Sequence, residues 1–486
     1  MKGKIEFKGK IKFFESLHTR YMKYGGYAAL VTIAVIIALI LINLIFQQFS
    51  PQFDLTKNKL FSLSEESIKV IESIDSPITI YGLWQQGNEN IQITEVVDLY
   101  TARNRNIRLE VVDPDTNPGL MAKFDKNNEG LPTGAVIVDG PKGFKVLSLY
   151  DMYDISYNSS QSPQITGNAI ERRITSALLY AGSGETPVVY EISGHNEIPL
   201  ADLRMQDLIE RENYSLQQLN LILSDIPEDA SVLVLNSPRS DFSPGETEKL
   251  LGYLERGGRL LILMDYRSQE TPNLDAMLGS YGIRFDYGVV IEPNQNYNTG
   301  SVYQIVPDMA SHDITTSLTE SRTPVVLPLA RGISELAMKR RTIGLTPFLT
   351  SSGDSYLRMD LENNSQIPVA GDVSGPLYLG MAVMDPQYVQ NQEDPQTRIV
   401  GIGCGALLEP INVYSQIPGN LDLFMNSLTW LENRPETLSI RSKGMMVFPM
   451  RITGMQMIIF GLLFVVVIPL AFFVAGFITW LKRRHL

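Results

Sequence analysis

The chain has 486 residues, of which 53 are acidic and 41 are Lys or Arg, so its formal net charge is −12. This length exceeds one ordinary hydrophobic core, so two or more domains are expected, and the acidic balance argues against binding to nucleic acid or anionic lipid. A single cysteine, Cys404, excludes an internal disulfide, and its apolar setting RIVGIGCGALL predicts a buried structural thiol.

An apolar segment near the amino terminus, residues 28–46, is interrupted only by Thr32 and Asn43. A helix of this length spans nearly the ~30 Å hydrocarbon core of a bilayer, which predicts a first transmembrane helix. A cleaved signal peptide is the alternative, but the segment is long and the following QQFSPQF offers no small-residue cleavage site. We therefore predict an uncleaved anchor.

Residues 77–183 alternate strand and helix patterns and then form a hairpin. The runs are ITIYGLW, NIQITEVVDLYTARN, IRLEVVDP, GLMAKFDKN, GAVIVDGPKGFKVLSL and GNAIERRITSALLYAG. This order predicts an α/β layout with a mixed sheet. It resembles thioredoxin, most closely at GLPTGAVIV, and the resemblance implies that Pro132 is cis. The family's C-x-x-C position holds WQQG, residues 84–87, so thiol exchange is excluded and a shell for packing or binding is expected.

The order of strand and helix patterns in residues 187–436 predicts an open, mostly parallel sheet that is covered by helices on both faces. After the linker GSGETP, strand VVYEI enters a polar corner, and strand SVLVLN precedes a helix start with Ser243 as N-cap, Pro244 at the first position and Glu246 in the first turn. That helix ends at two glycines, and RLLILMDY follows as a strand of parallel type. Further runs are NLDAMLGSYG, FDYGVVIE, TPVVLPLA, GPLYLGMAVM, RIVGIGCG and the closing helix GNLDLFMNSLTWLEN.

Polar residues follow the predicted strands of this second region. The candidate ligand-binding residues are Gly194, His195, Asn196, Glu197, Asn236 and Asp265. Because ligands bind beyond the carboxyl ends of parallel strands, these positions indicate the most natural place for a ligand. Helix amides nearby favour an anion or a carboxylate there.

A nucleophile elbow and a metal site are the alternatives for the corner SGHNE. A nucleophile elbow needs a Ser between glycines and a later His, whereas Ser193 precedes Gly194 and His312 has no supporting residues around it. A metal site needs more ligands than His195 and Glu197. We therefore predict a corner for binding or shape, with no catalytic residue, metal or cofactor. The chain also has no nucleotide-binding motif, so it is not expected to hydrolyse a nucleotide.

A second charge-free apolar run, residues 455–481, predicts a second transmembrane helix. Basic residues precede the first helix and follow the second, which predicts that both termini are cytoplasmic and that residues 51–451 are not. Each predicted span has a small-x-x-x-small pair that allows close packing against a partner helix. The pairs are Ala34 with Ala38 and Ala471 with Ala475.

The order of several motifs resembles the GldG-like auxiliary components of ABC transporters, first associated with gliding motility. The motifs are FDLTKNKLFSLSEES, SGHNE, DASVLVLNSPRSDFSPGE, LERGGRLLILMD and GNLDLFMNSLTWLENRPETLSIRSK. The resemblance implies a permease and a cytoplasmic ATPase as partners, and an outer domain akin to the GIFT and class I glutamine amidotransferase-like fold. The amidotransferase nucleophilic cysteine has no counterpart here. The substrate and any link to gliding are not implied.

The sequence thus predicts a membrane-anchored, non-catalytic ABC transporter subunit whose outer domains bind substrate, gate its passage or assemble the complex. An extracytoplasmic hydrolase or amidotransferase-like enzyme acting on glycans or peptides remains the alternative. The predicted segments are a basic cytoplasmic tail (1–24), a first span (25–48), a juxtamembrane linker (49–76), a thioredoxin-like domain (77–183), a GIFT-like domain (187–436), a juxtamembrane segment (437–453), a second span (454–481) and a cytoplasmic end (482–486).

Overall fold

The structure is a computed structural model of the chain. It describes residues 20–48, 62–125, 130–157, 163–184, 186–203, 205–266, 270–363, 365–386, 396–409, 418–433, 443–444 and 459–484. The predicted basic tail up to residue 19, residues 49–61 of the first predicted juxtamembrane segment and most of the second one lie outside these residues. Residues 1–62 form one unit and residues 63–486 a second one.

The helices and strands of the described residues are numbered here in chain order. The α-helices are α1 (Arg20–Gln48), α2 (Glu65–Glu72), α3 (Ile91–Arg103), α4 (Pro118–Phe124), α5 (Ile170–Ser183), α6 (Met205–Arg211), α7 (Pro244–Glu255), α8 (Pro272–Ser280), α9 (Asp313–Ser321), α10 (Pro418–Leu431) and α11 (Ile468–Arg484). The first strands are β1 (Ile78–Gly82), β2 (Ile107–Val111), β3 (Val136–Gly140), β4 (Gly143–Leu147), β5 (Tyr153–Tyr157) and β6 (Pro163–Asn168). Next come β7 (Val188–Ser193), β8 (Ser215–Asn220), β9 (Ala230–Asn236), β10 (Arg259–Leu263), β11 (Ile283–Phe285), β12 (Val289–Ile291), β13 (Gln304–Ile305), β14 (Asp308–Met309), β15 (Leu327–Pro328) and β16 (Ile333–Glu335). The last are β17 (Gly344–Thr350), β18 (Tyr356–Arg358), β19 (Val373–Ser374), β20 (Tyr378–Asp385), β21 (Thr397–Ile402) and β22 (Lys443–Gly444).

The first lobe, residues 63–183, is built on a four-stranded sheet in the order β2-β1-β3-β4. Strands β1 and β2 are parallel, with Ile80 opposite Leu109, whereas β3 runs antiparallel to both β1 and β4. Alternate residues of β1 and β3 are buried against α2, α3 and α5, because successive side chains of a strand point to opposite faces. The elements predicted for residues 77–183 are confirmed.

Pro132 precedes β3, as the thioredoxin resemblance requires, but its peptide bond is not cis. The cis bond found among the described residues is Gly375-Pro376. The chain enters β3 through a turn in which Ala135 N–H donates to the Pro132 carbonyl at 3.1 Å and Gly134 takes a φ of +77°. Pro132 opens this turn, and without a C-x-x-C pair it has no thiols to contact. The prediction of a cis Pro132 is wrong.

A short three-stranded sheet in the order β22-β6-β5 links distant parts of the chain. Lys443 pairs with Asn168 and Gly444 with Gly167. The chain therefore leaves the first lobe at α5, builds the second lobe and then returns to the first lobe.

The second lobe, residues 186–433, is built on a ten-stranded sheet with the path β11-β16-β20-β21-β10-β9-β7-β8. Strands β8, β7, β9, β10 and β21 are mutually parallel, whereas β20 is antiparallel to β21 and also pairs with β16 and β17. The predicted mostly parallel sheet is thus a mixed sheet whose parallel part is limited to five strands.

Both faces of this sheet are covered, as predicted. One core contains side chains of α6, α9 and α10 together with Val189, Val234 and Leu261. The other core contains side chains of α7 and α8 together with Leu233, Leu235 and Ile262. Because neighbouring residues of one strand enter opposite cores, the parallel strands read as continuous apolar runs.

Polar contacts join the two lobes between α5 and the end of α6. Arg173 Nη1 lies 2.6 Å from Glu212 Oε1 and also donates to the Arg211 carbonyl. Asn213 Nδ2 donates to the carbonyl and hydroxyl oxygens of Ser176, both at 2.6 Å. Both Arg173 and Asn213 are buried, so this joint is partly shielded from water.

Among the described residues, one helix is long and apolar enough to cross a membrane, Ile459–Lys482, while the apolar stretch Ala29–Leu41 of α1 is shorter. A π-helical turn, Leu463–Val467, precedes α11 within the longer helix. Pro469 explains this turn because its ring nitrogen cannot donate the hydrogen bond of a regular α-helix. Ala34, Ala38, Ala471 and Ala475 are all exposed on these helices.

Candidate functional site

The candidate residues lie at the carboxyl edge of the parallel strands in the second lobe. The segment Gly194 to Glu197 follows β7, Asn236 ends β9, and Asp265 follows β10. Since β7, β9 and β10 are neighbours in the sheet, their carboxyl ends lie side by side. The structure therefore brings the predicted residues to one edge.

The corner after β7 is a tight turn with two residues at positive φ. Gly194 has a φ of +125° and Asn196 a φ of +59°, a region that glycine adopts freely and Asn tolerates. A side chain at Gly194 would also begin 3.2 Å from Asn220 Nδ2. This turn directs His195 into the protein and leaves Gly194 and Asn196 exposed.

His195 is held between two carboxylates. Its Nδ1 lies 3.2 Å from Glu197 Oε1, and its Nε2 lies 3.2 Å from Glu246 Oε1. The imidazole ring stacks on Phe242 with 3.9 Å between centroids and 22° between planes. Because the side chains of His195, Glu197 and Glu246 are only 4–6% exposed, the group is a buried, internally paired cluster.

Glu246 belongs to the N-terminus of α7, where it forms a capping box with Ser243. Burial by itself raises the pKa of Glu246, but hydrogen bonds from the Ser243 N–H and hydroxyl, and the neighbouring His195, outweigh it and hold the pKa below its ordinary value. Glu246 is therefore a carboxylate that both caps a helix and fixes the imidazole of His195.

This arrangement does not present His195 as a base to an external substrate. Both ring nitrogens face protein carboxylates, and the ring is covered by Phe242. The Ser193 hydroxyl donates to the Leu219 carbonyl at 3.4 Å. His312 lies elsewhere, where its Nδ1 accepts from the Ile314 N–H as the N-cap of α9. Among the described residues, no group of three or more His, Cys, Asp or Glu is arranged to hold a metal ion.

Asn236 is buried and ties the corner to the sheet. Its Nδ2 donates to the Ile198 carbonyl at 2.8 Å, and its own carbonyl accepts from the Ile198 N–H at 3.0 Å. The Arg239 N–H donates to the His195 carbonyl at 2.8 Å. Asn236 is thus a structural residue of the corner.

Asp265 lies one strand further along the edge, beside Cys404 and Gly405. A side chain at Gly405 would begin 2.9 Å from Asp265 Cβ and 2.1 Å from Ser237 Oγ, so only glycine fits. Burial raises the pKa of the Cys404 thiol far above its ordinary value, and the charge of Asp265 raises it further. The thiol is therefore unreactive, as expected for a structural cysteine.

Sequence reasoning missed Glu191, which lies in the middle of β7. Its side chain is buried; Oε1 accepts from the Leu200 N–H at 2.6 Å, while Oε2 has no hydrogen-bond partner among the described residues. Burial raises the pKa of Glu191 to about 7; the Leu200 amide opposes this rise, and the charges of Glu197 and Asp202 add to it. An acidic residue inside the apolar strand VVYEIS was the available signal. The role of Glu246 beside His195 had no such signal, since 51 residues separate them.

The fold and the corner define a mixed α/β protein with a buried polar cluster at its strand ends. Residues 186–376 match the model of a family described as "ABC-type uncharacterized transport system". Residues 57–145 match a domain of unknown function. The first match covers the corner and supports an auxiliary component of an ABC transporter with a non-catalytic role. No curated protein matches the chain.

Solved structures give only weak likenesses. The mmIFT52 N-terminal domain is 15% identical, with 50% of this chain and 96% of that chain covered and a TM-score of 0.36. The exo-beta-1,4-mannosidase Op5Man5 from Opitutaceae bacterium strain TAV5 is 8% identical, with 70% and 48% covered and a TM-score of 0.26. A protein described as thuA-like from Parabacteroides merdae is 11% identical, with 54% and 92% covered and a TM-score of 0.29. At these TM-scores the likenesses carry no argument.

Proposed function

We propose that this chain is a non-catalytic, membrane-anchored auxiliary subunit of an ABC transporter, of the GldG-like kind. The family match over residues 186–376 is the observation that carries the proposal. A permease and a cytoplasmic ATPase on separate chains are its partners, because the sequence has no nucleotide-binding motif. The apolar helix Ile459–Lys482 supports an anchor, and the apolar stretch within α1 supports a second one.

The proposed topology puts both termini in the cytoplasm and the two lobes outside it. The basic residues next to both apolar segments support this orientation. The first lobe then serves as a thioredoxin-like shell without redox chemistry, an idea that its strand order and directions support even though Pro132 is not cis. The second lobe is the proposed GIFT-like domain.

Within the second lobe, the corner is proposed to contact an extracytoplasmic ligand or partner through its exposed residues. Gly194 and Asn196 are exposed, whereas His195, Glu197 and Asn236 hold the turn in shape from beneath. The buried His195 cluster supports a binding or shaping role over hydrolysis, because a general base must reach the group it deprotonates.

Purification of the full chain from native membranes tests this proposal. We expect a multi-span permease and a P-loop ATPase to copurify and to be identified by mass spectrometry. The isolated chain is expected to hydrolyse neither glycans nor amides. A chain that purifies without both partners, or hydrolysis that disappears in His195→Ala but persists in His312→Ala, would contradict the proposal and favour an enzyme.

A further inference from the structure

One buried arginine organises an exposed loop of the second lobe. Arg358, 1% exposed at the end of β18, binds Asp372 through Nε at 2.8 Å and through Nη2 at 2.9 Å. Its Nη1 donates to the carbonyls of Asn363 and Ser365 at 2.8 and 2.9 Å, and its Nη2 to that of Ile367 at 3.0 Å. We call residues 359–363 and 365–373 the Arg358 loop. The bidentate ion pair and three carbonyl contacts give this loop one defined conformation.

The Arg358 loop presents apolar side chains to the solvent. The exposed residues are Met359 (58%), Leu361 (48%), Ile367 (73%) and Val373 (48%). The folded protein gains nothing from exposing these groups, and a concentration of them on one ordered loop is typical of an interaction surface. Because Arg358 fixes the loop in advance, a partner would lose little free energy in ordering it.

The charges of the loop indicate the chemistry of the partner. Asp360 and Glu362 are exposed between the apolar residues, and the loop has no Lys or Arg. An anionic lipid surface would be repelled by these carboxylates. A two-fold contact centred on this loop would bring the same carboxylates of two copies together, which is also unfavourable. A protein surface with apolar pockets and basic edges complements the loop.

We propose that the Arg358 loop is the docking surface for a protein partner with an apolar, Lys- or Arg-edged surface, and that this partner is the extracytoplasmic part of the permease. The identity of the partner rests on the proposed function, whereas the chemistry of the contact rests on the loop itself.

Quantitative copurification of the full chain from native membranes tests the contact. We expect Leu361→Asp/Ile367→Asp to reduce the copurified permease at least about tenfold, because two apolar contacts are replaced by charges. Asp360→Lys/Glu362→Lys should also reduce it and weaken the salt dependence of the contact. The matched control is Ile91→Asp/Tyr150→Asp, whose side chains are 70% and 77% exposed on the first lobe. This control should retain the permease, and an unchanged melting temperature in every variant shows that the fold is intact.

A photo-crosslinker in place of Ile367 gives a second, independent readout in the membrane. The expected adduct joins the loop to a permease peptide that is apolar and contains Lys or Arg. Wild-type levels of permease in the loop variants, or an adduct with lipid, with a second copy or with nothing, would overturn the inference. Failure of wild-type chain to copurify permease and ATPase would instead overturn the proposed function. An adduct at residue 367 with a protein other than the permease would overturn the inference as well.

Discussion

Glu191 shows how one buried carboxyl group links the sheet to the polar corner. It accepts a hydrogen bond from the Leu200 N–H and thereby holds the segment after the corner against β7. Burial disfavours the charged form of Glu191, and the charges of Glu197 and Asp202 add to this effect, so the folded protein favours the protonated carboxyl group. The other carboxyl oxygen has no hydrogen-bond partner in the part of the chain that the structure describes. A strand whose four central side chains are buried thus contains a group that titrates near neutral pH.

We expect the contribution of Glu191 to the free energy of unfolding to fall as pH rises from about 4.5 to about 7. The pKa of Glu191 is about 7 in the folded state and near its ordinary value when unfolded, so the unfolded state loses its proton first. Glu191→Gln removes this titration and should raise the free energy of unfolding at pH 8 by on the order of 1–3 kcal/mol relative to wild type.

Thermal unfolding of the full chain in detergent at pH 5 and pH 8 measures this difference. Glu248→Gln, an exposed position on α7, is the control and should change neither value. If the stabilities of wild type and Glu191→Gln differ by the same amount at pH 5 and at pH 8, Glu191 does not titrate in this range.

The turn between β7 and the following segment depends on glycine at one position. Gly194→Ala should destabilise the protein by about 1–3 kcal/mol, because alanine is strained at a φ of +125° and its Cβ begins 3.2 Å from Asn220 Nδ2. Gly245→Ala in α7 is the matched control. It meets no atom within 4 Å and lies in a helix, so a gain of about 0.4–1 kcal/mol is expected. Unfolding free energies from denaturant titration measure both, and equal values for the two variants would contradict the prediction.

The elements that were predicted in the first lobe have local signals, whereas β5 and β6 were not predicted. Asn90 accepts hydrogen bonds from two backbone N–H groups at the start of α3, and the hairpin β3–β4 has a tight turn between Gly140 and Gly143. The helix α7 was equally clear from its Ser243-Pro244 start. Such short-range signals fix the type and position of an element without reference to its partners.

Strand direction in the second lobe was not predictable in this way. The run GPLYLGMAVM became β20, which is antiparallel to β21, and only two residues of TPVVLPLA became β15, in a separate sheet. An apolar run predicts burial, but pairing depends on contacts far away in sequence. The strand β8 was not predicted because it lies at the sheet edge, where its exposed Gln217 and Gln218 interrupt the apolar pattern.

The candidate site shows the same division. Its position was predictable, since polar residues after apolar strands converge at one edge. The internal pairing of His195 was not, because Glu246 and Phe242 reach it from another element of the fold.

At the scale of the whole molecule, the joint around Arg173 should make the two lobes unfold together. Arg173→Ala removes the partner 2.6 Å from Glu212 and leaves the Arg211 carbonyl without this donor. We expect a loss on the order of 2–4 kcal/mol and a calorimetric transition that broadens or splits in two, because coupling between the lobes is weakened.

Arg103→Ala is the control for this joint. Its ion pair with Glu72 is exposed on both sides, with 46% and 63% of the two side chains accessible, and such pairs contribute about 0–1 kcal/mol. A single sharp transition at the wild-type temperature in Arg173→Ala would mean that other contacts couple the lobes.

The return of the chain to the first lobe determines how mechanical tension would pass through the molecule. Ser64 is hydrogen bonded to Glu171 at the start of α5, and β22 pairs with β6, which leads directly into α5. A force that pulls the chain at residues 64 and 444 is therefore carried by these contacts within the first lobe. The ten-stranded sheet is inserted between α5 and β22 and lies outside this path. Such a force would act on the contacts of the first lobe and would not stretch the sheet.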